Sequence, residues 1–402
     1  MIPFSPPHIT EEAIAAVTEV LRSGWITTGP KTKNFEKNLS QYCDVPATLC
    51  LNSATAGLEI MLRWFGVQEG DEVILPAYTY SATANVIVHC GAKPIFVDVN
   101  AADFNISVAT IEKAISPRTK VIMPVDFAGW PCDYDEIKAL AEKHREQFIP
   151  SHPNQQKLGR IMILADAAHS IGASYKGRKT GSLADASVFS FHAVKNLTTA
   201  EGGAICLTLP ETFDNEEIYR ELCVKTLHGQ NKDALAKTQV GQWRYDIVEA
   251  GYKCNMTDIM AAIGQVELDR YESETLIRRR EICDFYTKEL SDCSWAIPPI
   301  QSNEYKTSSY HLYPLRIRNI SESQRDQIIA AISENGVSVN VHFIPIPMMS
   351  FYKGLGYDIS DYPQTFDNYA CEISLPVFYD LTPEQRQTVI ETLKKVVTQI
   401  IP

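Results

Sequence analysis

The chain lacks three features that would assign it to particular classes of protein. It has no excess of basic residues, because its formal net charge over 402 residues is -12, whereas nucleic-acid-binding proteins are normally basic. It has no apolar run near the roughly 20 residues that a membrane-spanning helix needs. Its first residues, MIPFSPPHITEEA, lack the basic-then-apolar order of a secretory signal peptide. We therefore expect neither a nucleic-acid partner nor a membrane association.

Paired cysteines are also missing. The chain has ten cysteines, the first at Cys43 and the last at Cys371, and none of them forms a C-x-x-C pair. A zinc or redox motif therefore has no support, and we expect no metal site. Scattered cysteines in a chain of this size are mostly small buried hydrophobic residues, which suits a reducing compartment. The expected location is the cytoplasm.

Short apolar segments alternate with helical patterns through the first half of the chain. Four segments are typical of buried strands: 72–75, 94–99, 120–125 and 161–165. Three segments have the pattern of helices: 55–65, 108–115 and 133–143. This alternation predicts a largely parallel sheet with helices on both faces. In such α/β folds, ligands bind at the carboxyl ends of the strands.

The pattern changes after residue 270, and the length favours more than one core. A strand is predicted over 311–317, followed by a helix that Ser321 caps and by an alternating strand over 337–341. We therefore predict a large domain over residues 1–270 and a smaller C-terminal α/β domain over 271–402.

A lone lysine, Lys195, lies in the segment VFSFHAVKNLTTAEGG at 188–203. One interpretation is a lysine at a strand end whose amine extends to water. The other is a lysine that forms a Schiff base, for which partial desolvation lowers the pKa and makes the amine nucleophilic. Gly202 and Gly203 would let the chain turn closely beneath a ligand.

A carboxylate, Asp166, directly follows the apolar segment IMIL. A carboxylate at the end of a buried strand is costly unless it is paired. The protonated ring nitrogen of pyridoxal phosphate would be such a partner, and the pair would keep the ring an electron sink. A helix cap or a surface charge explains the same residue equally well.

A second group of residues that supports a cofactor site around Lys195 consists of possible phosphate donors. Ser53, Ala54 and Thr55 precede a helix predicted to begin near Ala56. Backbone N–H groups at a helix N-terminus, with a hydroxyl beside them, bind phosphate well. An ordinary N-cap would use the same residues without a ligand. Ser190 could supply another hydroxyl.

An aromatic residue after the predicted strand VIL is the third feature that supports a cofactor site around Lys195. In AYTYSATAN, Tyr80 could cover a flat cofactor ring, and Tyr78 is the alternative. A tyrosine buried in the core is as compatible with this segment.

Five ordered motifs carry a resemblance to a known family. They are Ala-Thr before a helix, Thr-Tyr-x-x-Thr, Asp-Ala-Ala-His, Phe-Ser-Phe-x-x-x-Lys-Asn with Glu-Gly-Gly, and Gly-Tyr-x-x-Asn-Met-Thr-Asp-x-x-Ala-Ala. The chain resembles the DegT/StrS family of pyridoxal-phosphate-dependent nucleotide-sugar aminotransferases over nearly its whole length. GWITTGP, FSFHAVKN and GYKCNMTDIMAAIG are most similar to the UDP-4-amino-4-deoxy-L-arabinose aminotransferases. The segment 148–160, which we interpret as a surface insertion, is not part of their pattern.

The resemblance implies the fold and the cofactor-binding residues. The fold would be aminotransferase fold type I, with a mostly parallel sheet between helices in the large domain. The implied contacts with pyridoxal 5'-phosphate are a covalent link to Lys195, the ring nitrogen on Asp166, the phenolic oxygen beside His169, the ring under Tyr80, and the phosphate on Ala54, Thr55 and Ser190.

Further residues are implied across a subunit interface and at the sugar. Asn255 would reach the phosphate in the neighbouring subunit, so that a homodimer shares its active sites. Trp25, Thr27 and His342 would contact the sugar by analogy with the family.

The implied reaction moves an amino group from L-glutamate to a keto carbon of a nucleotide-linked sugar. A UDP-linked 4-keto sugar is the first expectation, and a 4-keto-6-deoxy-N-acetyl hexose is the second. The product would serve lipopolysaccharide or another surface polysaccharide. The alternatives are a sugar dehydratase with the same cofactor, in which histidine replaces the lysine, and a non-catalytic member. The presence of Lys195 and Asp166 argues against both.

Overall fold

The computed structural model describes residues 1–232 and 244–401, and a seven-stranded sheet lies at its centre. The α-helices in these residues are α1 (Glu11–Ser23), α2 (Pro30–Cys43), α3 (Ala54–Trp64), α4 (Ser81–His89), α5 (Val108–Ala114), α6 (Tyr134–Lys143), α7 (Pro153–Leu158), α8 (Asn215–Lys225), α9 (Asp258–Arg270), α10 (Leu276–Glu289), α11 (Glu322–Glu334), α12 (Ser350–Gly354), α13 (Pro363–Cys371) and α14 (Pro383–Ile400). The strands are β1 (Ala47–Leu51), β2 (Glu72–Pro76), β3 (Lys93–Val97), β4 (Thr119–Ile122), β5 (Met162–Asp166), β6 (Ser174–Tyr175), β7 (Arg178–Lys179), β8 (Ala186–Ser190), β9 (Gly203–Leu207), β10 (Ala296–Ile297), β11 (Lys306–Thr307), β12 (Tyr313–Ile317) and β13 (Glu372–Leu375).

The central sheet has the strand order β1-β9-β8-β5-β4-β2-β3. Strands β3, β2, β4, β5 and β8 pair in parallel, and β9 runs antiparallel to both β8 and β1. The predicted mostly parallel sheet between helices is confirmed. Asp166 ends β5 and Ser190 ends the neighbouring parallel strand β8. Their side chains therefore lie at the same edge of the sheet.

Local hydrogen bonds explain where most helices begin. Thr10 caps α1, and capping boxes pair Ser321 with Gln324 in α11 and Thr382 with Gln385 in α14. Each satisfies backbone N–H groups that the first turn leaves without partners. The spacing of Asp133 and Glu136 predicts a capping box at α6 as well, but the Asp133 side chain makes no cap hydrogen bond and forms an ion pair with Lys306 at 2.7 Å instead.

Two other expectations need correction. Residues 337–341 form no strand: Val337 and Asn340 make single bridges to Ile2 and Ser374. Their alternation therefore reflects a half-buried segment that contacts a different neighbour at each end. The segment 148–160 contains α7, and its Gln155 side chain is buried and donates to the backbone oxygen of Gly66 at 3.2 Å. The segment lies at the surface, as expected, but it includes a short helix whose buried residues pack on the large core.

Apolar residues form a large cluster around the central sheet and a second cluster at the C-terminal end. The second cluster joins α10, α11, α14 and strands β12 and β13, and it also takes in Ile2. The boundary at residue 270 stays a prediction, since helical structure runs through it from α9 across a π-helical turn into α10. In residues 1–232 and 244–401, no helix is long and apolar enough to cross a membrane.

Candidate active site

A cavity of about 340 Å³ lies at the carboxyl ends of β5 and β8. Loops after these strands, the start of α3 and the segment between α11 and α12 all contribute to its walls. The structure brings these predicted residues together there: Ala54, Thr55, Tyr80, Asp166, His169, Ser190, Lys195 and His342. They come from distant parts of the chain, so the parallel sheet edge is what collects them.

Lys195 lies in the loop that follows β8, and its backbone N–H donates to the His192 oxygen at 2.9 Å. Its side chain remains partly accessible because it faces the cavity. Burial among protein atoms lowers the pKa of the Lys195 amine to about 8, although the Asp166 carboxylate acts in the opposite direction. A larger fraction of the amine is therefore neutral and nucleophilic near neutral pH than in an ordinary lysine.

Asp166 is buried at the base of the cavity. One carboxylate oxygen accepts from the Thr83 hydroxyl at 2.7 Å and the other from the Ala168 N–H at 3.2 Å. Burial raises the pKa of Asp166, while Thr83, Ala168 and Lys195 lower it. A turn follows Asp166, so the alternative of a helix cap is wrong.

Thr83 was not identified from the sequence as a site residue. Its hydroxyl lies 2.9 Å from that of Thr79, which makes a chain of two hydroxyls that ends on Asp166. The signal was present in the motif Thr-Tyr-x-x-Thr, which places Thr79 just before α4 and Thr83 in its first turn. The sequence did not show that this turn faces the end of β5.

The helix α3 begins at Ala54, two residues before the predicted start. Ser53 is its N-cap, and the Ser53 hydroxyl accepts from the Ala56 N–H at 3.1 Å. The first N–H groups of a helix have no partner within it, so this turn can hold an anion. A Cβ atom at Gly203 would lie 2.4 Å from the Ala54 nitrogen. Only glycine therefore lets β9 pass so close beneath the turn.

The two candidate tyrosines differ sharply in position. Tyr78 is fully buried, with ring centroids of Phe104 and Phe127 at 5.2 and 5.3 Å. Tyr80 lines the cavity, is 61% exposed and packs against Phe343 with centroids 5.7 Å apart. The geometry therefore favours Tyr80 over Tyr78 as the ring-covering residue.

His169 carries an unsatisfied polar atom beside the cavity. Its Nδ1 is buried and has no hydrogen-bond partner in the part of the chain that the structure describes. Burial holds the pKa of His169 well below its usual range, so the imidazole is neutral. Buried polar atoms are nearly always hydrogen-bonded, which makes this nitrogen fit a polar atom of a ligand.

Three other predicted residues gather elsewhere, around Thr28, and we call them the Thr28 group: Trp25, Thr27 and Asn255. The Asn255 amide donates to the Thr28 hydroxyl at 2.5 Å, and the Trp25 indole donates to the Thr28 backbone oxygen at 3.2 Å. None of the three lines the cavity of its own chain as far as the described residues form it. Their predicted roles stay predictions.

The donor set of the cavity fits pyridoxal phosphate. It holds an amine, a buried carboxylate, an open helix N-terminus and an unpaired imidazole nitrogen within one space. These match an aldehyde, a protonated ring nitrogen, a phosphate and a phenolic oxygen in turn.

Comparison with known proteins agrees with this geometry. The family model described as the DegT/DnrJ/EryC1/StrS aminotransferase family matches residues 7–394. The fold is similar to that of a putative sugar aminotransferase, Spr1654 from Streptococcus pneumoniae, in its PMP form, with 48% identity, a TM-score of 0.97 and all of both chains covered. The PLP form of the same protein matches at 46% identity with a TM-score of 0.95, again over all of both chains.

Two further relatives have more specific descriptions. Helicobacter pylori PseC, an aminotransferase involved in the biosynthesis of pseudoaminic acid, matches at 28% identity with a TM-score of 0.88 over 99% of both chains. The spore coat polysaccharide biosynthesis protein SpsC of Bacillus subtilis is 36% identical over 400 residues, which cover 98% of this chain and 97% of SpsC.

Proposed function

The chain belongs to the DegT/DnrJ/EryC1/StrS aminotransferase family, and on this premise we propose that it transfers an amino group from L-glutamate to a keto carbon of a nucleotide-linked sugar. It is an aminotransferase of fold type I that depends on pyridoxal phosphate. The observation that carries the proposal is the single cavity that unites Lys195, Asp166 and the start of α3.

When bound, the cofactor would supply an electron sink for the negative charge that develops next to the transferred nitrogen. Lys195 would hold the cofactor covalently and then move a proton with its amine, for which a pKa of about 8 is well suited. Asp166 would keep the ring nitrogen protonated, and Thr83 orients its carboxylate. The N–H groups at Ala54 and Thr55, with Ser190, would hold the phosphate.

A UDP-linked 4-keto sugar is the proposed amino acceptor, and the product would serve a surface polysaccharide such as lipopolysaccharide. The motifs shared with the UDP-4-amino-4-deoxy-L-arabinose aminotransferases support this choice. The likeness to SpsC supports a polysaccharide pathway. The likeness to PseC favours the second candidate, a 4-keto-6-deoxy-N-acetyl hexose.

The alternatives from the same family fit the cavity less well. A dehydratase of this family has histidine in place of the lysine, whereas Lys195 is present and faces the cavity. A non-catalytic member would have no need of a lysine with a lowered pKa beside a buried carboxylate.

A homodimer with shared active sites is the proposed assembly. The Thr28 group supports it, because these residues are held in place by hydrogen bonds yet lie outside their own cavity. Large apolar side chains beside this group are exposed: Ile26 is 49% and Tyr252 36% accessible. A second copy placed by a two-fold axis would cover them and receive Asn255 at its phosphate site.

The direct test is a panel of UDP- and dTDP-linked keto sugars incubated with L-glutamate whose nitrogen is isotopically labelled. We expect mass spectrometry to find the label in an amino sugar, with a UDP-linked 4-keto sugar as the best acceptor. Formation of 2-oxoglutarate should match the amino sugar in amount.

The same panel separates the alternatives. Loss of water from a sugar without gain of nitrogen would identify a dehydratase. If L-glutamate gave no amino sugar, no 2-oxoglutarate and no change in the absorbance spectrum of the bound cofactor, the result would contradict an aminotransferase that uses this donor.

A further inference from the structure

Glu372, in the C-terminal part of the chain, has a buried carboxylate that no ion pair among the described residues explains. It begins β13 and is fully buried. Within the described residues no ion pair reaches its carboxylate, since the nearby Arg325 pairs with Asp326 and donates to the Glu372 backbone oxygen. An unpaired buried carboxylate is costly, so its hydrogen bonds indicate what it does.

Both oxygens of the Glu372 carboxylate face the segment that carries His342. One oxygen accepts from the Ser374 hydroxyl at 2.5 Å, and the other accepts from the backbone N–H of His342 at 3.0 Å. The Ser374 hydroxyl is also 2.9 Å from Nδ1 of His342. Backbone bonds between Asn340 and Ser374 hold the two segments together. The result is a chain of hydrogen bonds, Glu372–Ser374–His342, from the core to the cavity.

His342 is the end of this chain that a substrate could meet. Its ring lines the cavity and stacks on Phe4 with centroids 5.4 Å apart. Burial and the charge of Lys195 lower the pKa of His342 to about 3, so the ring is neutral. A neutral imidazole has one N–H donor and one acceptor nitrogen. Because Nδ1 is bonded to Ser374, the remaining nitrogen, Nε2, is left for the cavity.

The direction of the hydrogen bonds determines which nitrogen of His342 carries the proton. When Glu372 is ionised, Ser374 must donate to it, so the Ser374 oxygen accepts from Nδ1–H and Nε2 is an acceptor. When Glu372 is protonated, its carbonyl oxygen still accepts from the backbone N–H of His342, and its O–H donates to the Ser374 oxygen. Ser374 then donates to Nδ1, and Nε2 carries the proton.

We propose that Glu372 and Ser374 are positioning residues that set the tautomer of His342 and, when Glu372 is ionised, present its Nε2 as a hydrogen-bond acceptor to a hydroxyl group of the amino-acceptor sugar. This inference rests on the proposed function for the identity of the ligand. The tautomer itself follows from these hydrogen bonds and the charge of Glu372, without reference to the ligand.

Among the described ionisable groups around Glu372, only Glu372 itself changes its charge near pH 8. Burial raises the pKa of Glu372 to about 8, and it raises those of Tyr78 and Cys371 above their ordinary values, so these two stay neutral there. Arg325 stays charged. Glu372 is therefore protonated below about pH 8 and ionised above it, and Nε2 becomes an acceptor as the pH rises.

The first test needs no sugar. NMR of the holoenzyme with labelled histidine nitrogens reports which nitrogen of His342 carries the proton, and His342→Asn identifies its signals. We expect the proton on Nδ1 above about pH 8 and on Nε2 below it. In Glu372→Gln the amide oxygen must face the His342 N–H, so the NH₂ group faces Ser374 and Nε2 should carry the proton at every pH. A proton that stays on Nδ1 in this variant would overturn the proposal.

The second test compares the two half-reactions. Above about pH 8, Glu372→Gln should raise KM for the sugar about tenfold, as loss of one hydrogen bond does, and leave the half-reaction with L-glutamate within about twofold of wild type. The wild-type ratio of sugar to glutamate kcat/KM should rise through about pH 8. Glu372→Gln should lack this rise. Its ratio keeps only the titration of the Lys195 amine, which falls in the same range and is common to both proteins.

The control is Glu322→Gln, which changes another carboxylate near Arg325 in the same part of the chain. It should keep the wild-type pH profile. Equal losses in both half-reactions of Glu372→Gln would show a merely structural role and overturn the proposal. If the wild type aminates no sugar, the proposed function fails, and the NMR result alone decides whether Glu372 sets the tautomer.

Discussion

The cavity around Lys195 and the Thr28 group both contain predicted site residues, but only the residues of the cavity surround a space that could hold a ligand. In the cavity, Lys195, Asp166 and the start of α3 face one another across a shared space. In the Thr28 group, Trp25 and Asn255 bond to Thr28 and have no such space in their own chain within residues 1–232 and 244–401. The groups of the first region fit the chemistry of the cofactor, whereas the second region, as far as the structure describes it, has contacts without a ligand cavity.

This difference separates what one chain can do from what we propose for two. The cavity residues are collected by the sheet edge, so a single chain suffices to place them. The Thr28 group lies at an exposed surface with Ile26 and Tyr252 beside it. If the group completes the cavity of a second copy, changes in the two regions should have different effects and should complement each other.

The largest effect is expected for Lys195→Ala. This variant should still bind pyridoxamine phosphate but lose turnover by at least about 10³-fold, since a positioned proton-transfer group alone contributes about 10²–10⁴-fold. Steady-state assays with L-glutamate and the best acceptor sugar measure the loss. In the wild type, borohydride should fix the mass of the cofactor on the peptide that contains Lys195.

Lys225→Ala is the matched control, because Lys225 forms an ion pair with Glu249 away from the cavity. It should retain activity. Cofactor mass found on Lys225 or Lys253 instead of Lys195 would contradict the assignment of the cavity.

A smaller but still large effect is expected for Asp166→Asn. The fold should persist, because the amide oxygen can accept from the Ala168 N–H while the amide NH₂ donates to the Thr83 hydroxyl, which can in turn donate to Thr79. Activity should fall about 10²-fold or more, as for other groups that stabilise charge in the transition state. The neutral amide no longer keeps the ring nitrogen protonated. Single-turnover rates with L-glutamate measure this loss directly.

Asp214→Asn supplies the comparison for a simple helix cap, since Asp214 caps α8. It should change activity little. A loss below tenfold in Asp166→Asn, which corresponds to about 1.4 kcal/mol of barrier, would mean that Asp166 has only a structural role.

The smallest effect tests the relation between the two regions. Lys195→Ala and Asn255→Ala should each be impaired alone. In a mixed dimer one site receives both defects, and the other receives Lys195 and Asn255 intact from different chains. Refolding the two variants together should restore up to about half of the wild-type activity per mixed dimer.

Tagged subunits allow the mixed dimers to be purified before the assay. Mixed dimers with no more activity than the separate variants would show that Asn255 does not act across an interface. The Thr28 group would then be a structural cluster of its own chain, and the comparison between the regions would lose its functional meaning.

Sequence reasoning placed the cavity residues well because their signals are local. The strand before Asp166, the apolar segment before Lys195 and the cap before α3 can each be recognised within a few residues. The ends of parallel strands meet at one edge by geometry, so these local signals combine without further information. Thr83, by contrast, was missed because its contact with Asp166 depends on how α4 is turned towards β5.

The errors have a similar cause. Asp133 has the spacing of a capping box, but Lys306, far along the chain, takes its carboxylate. Residues 337–341 alternate as a strand does, yet their neighbours Ile2 and Ser374 belong to different parts of the chain. Spacing reports which faces are apolar, and it does not report which partner covers them.

The sequence by itself determined the family, the cofactor and the parallel α/β architecture, and it predicted Lys195 and Asp166 as the two central groups. These depend on short motifs whose residues act within one strand end or one helix turn. Only the tertiary structure decided between Tyr78 and Tyr80, separated the Thr28 group from the cavity, and joined Glu372 through Ser374 to His342. Such contacts link segments far apart in the chain, and their energies depend on burial and on hydrogen-bond direction, which exist only after the chain has folded.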